Sequence, residues 1–278
     1  MKSIQSLVKL RVGGVPEHFN LPWKLCIESG SLKGFNINAS WIDFYSGTGA
    51  MVKALNEGSI DVATLLTEGA VAALSKKDSK FELYSFYTKT PLIWGVHVPA
   101  SSDIKQLSDI NAATFVISRY GSGSHLMAFL LAESLNLNLK QLKFKIVDNL
   151  KGARELFKGG GNFVFLWEKF MTKPYVDNGE MHHISDFPTP WSCFVTCVRK
   201  SILANHKLQV QQLMQNVLNT ANELKISPLF EKLIAREYQL ELPDVKNWIN
   251  TIDWQSSISL NSELIQNVEV KLKQLDII

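Results

Sequence analysis

Apolar residues occur along this chain in short β-branched runs, each followed by a small polar loop and then by residues at helical spacing. Residues 7–12, 35–44 and 60–66 are such runs, with the length and branching of buried or half-buried strands. After them come the turn-rich loops 13–18, 46–49 and 67–69. Helices carrying Trp23, Leu25 and Ile27, then Met51, Val52 and Leu55, then Ala70 to Leu74 follow these loops. Three rounds of strand, loop and helix predict a parallel α/β sheet, because parallel neighbours need a crossover that a helix can supply. Residues 81–87 and 92–98 read as two more strands around Thr88–Pro91. A second alternation then places strands at 114–118, 142–147, 162–167 and 192–198, with helices at 126–135 and 151–157. Further on, Val210, Leu213, Met214, Val217, Leu218, Ala221 and Leu224 form one apolar helix face. The helices from there to the end predict packing, not chemistry.

One loop stands out chemically. Ser118-Arg119-Tyr120-Gly121-Ser122-Gly123-Ser124-His125 lies between a short apolar strand and a helix bearing Leu126, Phe129 and Leu130. A helix start leaves its first N–H groups unpaired and carries partial positive charge, so a Gly/Ser turn there suits an anion or a polar ligand. The glycines allow close approach to the backbone, and Ser122 or Ser124 can cap the helix or bond a ligand. No Lys-Ser/Thr pair follows, and a third glycine is missing, so the loop is neither a nucleotide P-loop nor a dinucleotide fingerprint. An ordinary serine cap remains the alternative. Ligands of such sheets gather at the carboxyl ends of the strands, which directs loops 15–18, 46–49 and 67–69 towards one crevice.

Composition narrows the classes. The chain has 278 residues, 46% of them hydrophobic and 20% charged, with a formal net charge of +3. That length suits two domains of modest size, and the balanced charge points to neither nucleic acid nor a membrane surface. No apolar run reaches the ~18 residues of a membrane span. Three cysteines, Cys26, Cys193 and Cys197, make no disulfide framework. They read as core residues, and no metal site is expected there or at His182-His183, which reads as a solvated turn. Residues 1–5 lack the apolar core of an export signal. The expected location is therefore cytoplasmic, or periplasmic or cell-surface if a signal has been removed.

Residues 44–63, Phe-Tyr-Ser-Gly-Thr-Gly-Ala-Met-Val-Lys-Ala-Leu-Asn-Glu-Gly-Ser-Ile-Asp-Val-Ala, resemble the type II periplasmic-binding-protein fold. The branch they resemble is that of aliphatic-sulfonate, taurine and thiamine-pyrimidine-precursor binding proteins. Residues 115–135 and 162–170 fit the same pattern, and the resemblance spans roughly residues 7–250. Gly161-Asn162-Phe163 stands where that family has Gly-x-x-Asp-Ala, a change expected to alter a turn. The resemblance implies two α/β lobes, each a mostly parallel sheet flanked by helices, with a ligand cleft between them. One lobe would be residues 1–90 with 195–278 and the other 91–194, joined by crossings near residues 87–94 and 190–194. It also implies the ligand-binding residues: Val15, His18, Ser46, Gly47, Thr48, Thr67 and Glu68 from the first lobe. From the second come Tyr120, Gly121, Ser122, Gly123, Ser124, Trp167 and Glu168. Arg119 is a candidate counter-ion for an anionic head group.

The function implied is that of a monomeric solute-binding protein closing on a small anionic or zwitterionic molecule, with an ABC permease as partner. No catalytic residue, metal or cofactor is assigned, since His18, His125 and Glu68 form no catalytic constellation by spacing. The alternative is a cytoplasmic enzyme on the same fold, of the thiamine-pyrimidine or menaquinone-pathway type.

Overall fold

The computed structural model describes residues 7–278; the residues read for an export signal, 1–5, lie outside them. Ten strands divide equally between two sheets. The first sheet has the order β2-β1-β3-β10-β4, from Ile37–Asp43, Val8–Gly14, Val62–Leu66, Phe194–Arg199 and Phe81–Phe86. The second has the order β7-β6-β8-β5-β9, from Lys143–Ile146, Thr114–Ile117, Phe163–Glu168, Ile93–Pro99 and Met181–Pro188. Each sheet holds two parallel and two antiparallel pairings, with β10 and β5 running against their neighbours. Four of the five strands in each therefore point the same way, and the reversed strand has crossed from the other sheet. This is the two-lobed type II periplasmic-binding-protein fold, with flanking helices on both sheets.

Helices sit where the apolar spacing put them: α1 (Leu21–Glu28), α2 (Gly47–Glu57) and α3 (Thr67–Leu74) on the first sheet. On the second lie α4 (Gly123–Ser134), α5 (Leu150–Phe157) and α6 (Lys169–Asp177). The C-terminal helices are α7 (Lys200–Lys225), α8 (Pro228–Tyr238), α9 (Leu242–Thr251) and α10 (Ser262–Gln274). In α7 the expected stripe, Val210, Leu213, Met214, Val217, Leu218 and Ala221, is buried, and α7 packs along α1. One expectation is corrected. His182 and His183 lie within β9, not in a solvated turn. That strand is at the sheet edge and largely polar, so it lacks the apolar alternation by which a strand is recognised.

Two short segments join the sheets and are hydrogen-bonded side by side. The Thr189 amide donates to the Leu92 carbonyl at 3.0 Å, and the Leu92 amide to the Thr189 hydroxyl at 3.0 Å. The Cys193 amide donates to the Thr90 carbonyl at 3.1 Å, and the Tyr87 amide to the Phe194 carbonyl at 2.9 Å. The C-terminal stretch braces this pair, with Lys89 N–H on the Asp253 carbonyl and Gln255 N–H on the Tyr87 carbonyl.

Cys193 and Cys197 sit in the core at 1% and 0% exposure. Burial pushes both thiols above their ordinary pKa, Cys193 further so because of the Glu68 carboxyl nearby. Reactivity needs an accessible thiolate, so neither should react with an aromatic disulfide reagent in the native protein, while both should react in denaturant. Rapid native-state labelling of either would contradict this placement.

Candidate ligand-binding cleft

Because β10 and β5 are reversed, their amino ends reach the edge to which the other strands bring their carboxyl ends. A cleft of about 530 Å3 opens there between the two sheets. From the first lobe come the loop after β1, with Val15, Glu17 and Phe19, and the start of α2, with Ser46, Gly47 and Thr48. From the second come the loop Ser118–Ser124, the start of α5, and Trp167 with Glu168 at the end of β8. Trp94 and Phe194, on the reversed strands, complete the apolar walls. Arg119 spans the gap, its guanidinium donating to the Ser46 carbonyl at 2.6 Å. Gly49 makes room for it, since a Cβ there would stand 2.7 Å from an Arg119 nitrogen.

The serine loop proves largely self-satisfied. The Ser122 hydroxyl caps α4, accepting from the His125 amide at 3.3 Å and donating to the Arg119 carbonyl at 2.7 Å. The Ser124 hydroxyl accepts from the Ser118 amide at 3.0 Å and meets Ser122 Oγ at 3.1 Å. What the loop offers the cleft is thus its backbone at Gly123 and Ser124, held in place by the hydroxyls. Gly123 is small because of packing: a Cβ there would stand 2.4 Å from Leu66 Cδ1 and 3.1 Å from the Trp94 ring. Leu66 belongs to the opposite lobe, so this glycine lets the lobes meet.

Eight of the residues expected at the ligand lie on the cleft wall as well as Glu168: Val15, Ser46, Gly47, Thr48, Ser122, Gly123, Ser124 and Trp167. Five lie elsewhere. His18 is fully buried behind the floor, its ring 4.1 Å from that of Trp248 and its Nε2 3.3 Å from Glu168 Oε2. Thr67 and Glu68 tie the first lobe to the second crossing. The Thr67 hydroxyl donates to the Ser192 carbonyl at 2.6 Å, and Trp191 Nε1 donates to Glu68 at 2.9 Å. Burial raises the Glu68 carboxyl to about 7, against that tryptophan bond. Tyr120 points outward at 62% exposure, packing on His125 and Phe144, and Gly121 supplies the positive φ of the turn. Glu17 lies within loop 15–18, which the sequence directs into the crevice; Trp94 and Phe194 were not singled out, since they sit at the beginnings of strands, where the rule of carboxyl ends does not look.

The floor is acidic. Glu17 and Glu168 approach it from opposite lobes, and burial together with the Glu168 charge raises the Glu17 carboxyl to about 8. No hydrogen bond or ion pair of the Glu17 carboxyl occurs among the described residues. Glu168, 3% exposed, caps α6 by accepting from the Met171 amide at 2.6 Å. Two apolar-walled donors also lack partners: Trp94 Nε1 and the Thr64 hydroxyl, in residues 5% and 1% exposed.

Two outcomes follow from this geometry. Glu17 is raised above its unfolded value, so its ionisation opposes folding: the penalty is absent below the unfolded pKa, grows as pH rises, and is complete above about 8. Glu17→Gln should therefore raise the melting temperature of the ligand-free protein at pH 8 and leave it unchanged near pH 4, by roughly 2–4 °C per kcal/mol relieved. Equal shifts at both ends of that range would contradict it. Gly123→Val should lower the melting temperature by several degrees, because overpacking typically costs about 1–3 kcal/mol. Calorimetry of the ligand-free protein checks both.

Comparison with known proteins agrees with this architecture. Residues 94–187 match the family model of the Ca3427-like periplasmic-binding proteins. No curated protein sequence matches the chain. Among solved structures, the Candida albicans CA3427 gene product, which defines a family with the generic periplasmic binding protein fold, is similar with a TM-score of 0.88. It is 26% identical, over 98% of this chain and 91% of that one. The alkanesulfonate-binding protein SsuA of Xanthomonas axonopodis pv. citri, bound to MOPS, aligns with a TM-score of 0.79 at 16% identity, over 98% and 94%. PhnD1 of Prochlorococcus marinus, in complex with methylphosphonate, aligns with a TM-score of 0.67 at 13% identity, over 97% and 99%. With its serine loop, paired crossings and two facing sheets, the chain has the type II periplasmic-binding-protein fold.

Proposed function

We propose that this chain is a solute-binding protein whose lobes, residues 1–90 with 195–278 and residues 91–194, close on one small anionic or zwitterionic organic molecule. The observation that carries this reading is the cleft itself: about 530 Å3, walled by strand ends of both sheets, and bridged by the Arg119–Ser46 bond. A pocket of this size with apolar walls and few polar groups suits a compact ligand. The backbone at Gly123 and Ser124 and the Arg119 guanidinium are the groups for an anionic head. Val15, Thr48, Trp167 and Glu168 would bound the rest of the molecule. Two relatives by fold bind an alkanesulfonate and methylphosphonate, and another is the ligand-binding component of an ABC-type import system of Staphylococcus aureus. A sulfonate or taurine-like compound has the head-group chemistry for this site, and a thiamine-pyrimidine precursor would have to use the polar groups of the wall instead. An ABC permease, or a related receptor, would be the partner of the closed form. No helix among the described residues is long and apolar enough to cross a membrane.

The paired crossings are the hinge in this reading, since backbone change concentrates in a few joining residues. Native mass spectrometry of the purified protein should reveal a co-purifying small molecule. Small-angle scattering before and after its removal should show an expanded radius of gyration in the stripped protein. Arg119→Ala should expand the loaded protein towards the stripped state. A radius of gyration that is the same with and without a stoichiometrically bound molecule would overturn closure.

A further inference from the structure

The acidic floor of the cleft sets a requirement that an anion alone does not meet. Glu17 and Glu168 both line the cleft, one from each lobe, and among the described residues neither carboxylate forms an ion pair with a lysine or arginine. The Glu17 carboxyl has no partner at all among the described residues. Glu168 Oε2 accepts from the Met171 amide and lies 3.3 Å from His18 Nε2 without a hydrogen bond, and no hydrogen bond to its Oε1 occurs among the described residues. Of the described residues, Arg119 in the loop after β6 and Lys151 at the start of α5 are the cations that line the cleft, and neither forms an ion pair with these glutamates. A buried carboxylate without a counter-charge is unfavourable, and a second one beside it makes matters worse.

A second observation points to an occupant. Trp94 pairs in register with Glu168 across β5 and β8. It lines the cleft at 5% exposure, and its Nε1 donor has no partner. The Thr64 hydroxyl, on the opposite lobe and also on the cleft wall, is likewise unpartnered. Unsatisfied buried donors beside unsatisfied carboxylates call for a molecule that both donates and accepts. The wall between them is apolar: Phe19, Leu66, Met171 and Phe194.

We propose that Glu17 and Glu168 form a subsite for a cationic nitrogen, so that the ligand is a compact zwitterion with its ammonium on this pair and its anionic end at the start of α4. This rests on the cleft being the ligand site. A simple anion offers the two carboxyl groups no donor, while a zwitterion satisfies both poles. The pair therefore acts as a filter against amine-free anions.

Matched probes test this: 3-aminopropanesulfonate against propanesulfonate, 3-aminopropylphosphonate against propylphosphonate, and 4-aminobutyrate against butyrate. Each is titrated at millimolar concentration into the stripped protein and followed by tryptophan fluorescence, to which Trp94 and Trp167 contribute. Within at least one pair the amino member should bind at least about tenfold more tightly, the loss expected when a charge-assisted bond is missing. Glu17→Gln and Glu168→Gln should each erase that preference with circular dichroism unchanged. Amine-free members binding as tightly, a preference that survives both variants, or no response to any amino member would each overturn the subsite. The binding-protein reading is judged separately by the co-purified molecule. A bound molecule lacking a basic nitrogen overturns the subsite and leaves that reading standing, whereas a protein that carries none and responds to no probe counts against both.

Discussion

Everything else in this molecule depends on two strands that belong, by chain order, to the wrong sheet's company. β5 leaves the first lobe and β10 returns to it, and each runs antiparallel to its neighbour in the sheet it joins. The segments that carry the chain across are bonded to one another through Thr189, Leu92, Thr90 and Cys193. Their backbone groups thereby find partners without a continuous sheet between the lobes, which buried backbone requires. The same device gathers strand ends of both sheets around one opening. A single unbroken sheet of ten strands would spread those ends along one edge, with no facing wall.

Closure of the two walls depends on small residues. Gly49 accepts the Arg119 side chain from the other lobe, and Gly123 accepts Leu66. Each acts as a socket for one side chain, so the lobes register by shape as well as by the Arg119–Ser46 bond. Exposed single hydrogen bonds contribute about 1 kcal/mol, so this bond adds little to the stability of the contact between the lobes. The serines of the α4 turn serve the same end indirectly. Their hydroxyls bond within the loop and fix the backbone that faces the cleft.

Much of this was legible in the sequence, and the failures have physical causes. The strand, loop and helix rhythm located nine of the ten strands because apolar runs and Gly/Ser turns mark them locally. The missing one, β9, is a polar edge strand whose pairing with β5 is a tertiary fact. Among the expected site residues, Val15, Ser46 to Thr48, Ser122 to Ser124, Trp167 and Glu168 line the cleft. His18, Thr67 and Glu68 satisfy the rule of carboxyl ends as well, yet their side chains turn to the interior, where Trp248, Ser192 and Trp191 meet them. Which way a side chain turns after a strand end depends on partners more than 100 residues distant for Thr67 and Glu68, and spacing carries no trace of them. Trp94 and Phe194 escaped for the complementary reason: they look like core residues of a strand, and only strand reversal brings them to the opening.

The C-terminal helices, which read as packing alone, turn out to shape the chemistry of the floor. Trp248 of α9 lies 4.1 Å from the His18 ring, and the Tyr238 hydroxyl of α8 donates to the Glu17 carbonyl at 3.1 Å. His18 in turn stands 3.3 Å behind Glu168. Aromatic packing from residues late in the chain thus excludes water from behind both carboxylates, and excluding water is what raises Glu17. With a hydrated backing the Glu17 carboxyl would lose the larger of the two causes that raise it, its burial. The late helices therefore bear on the cleft from behind, through the residues that back Glu17 and Glu168, and need touch no ligand to do so.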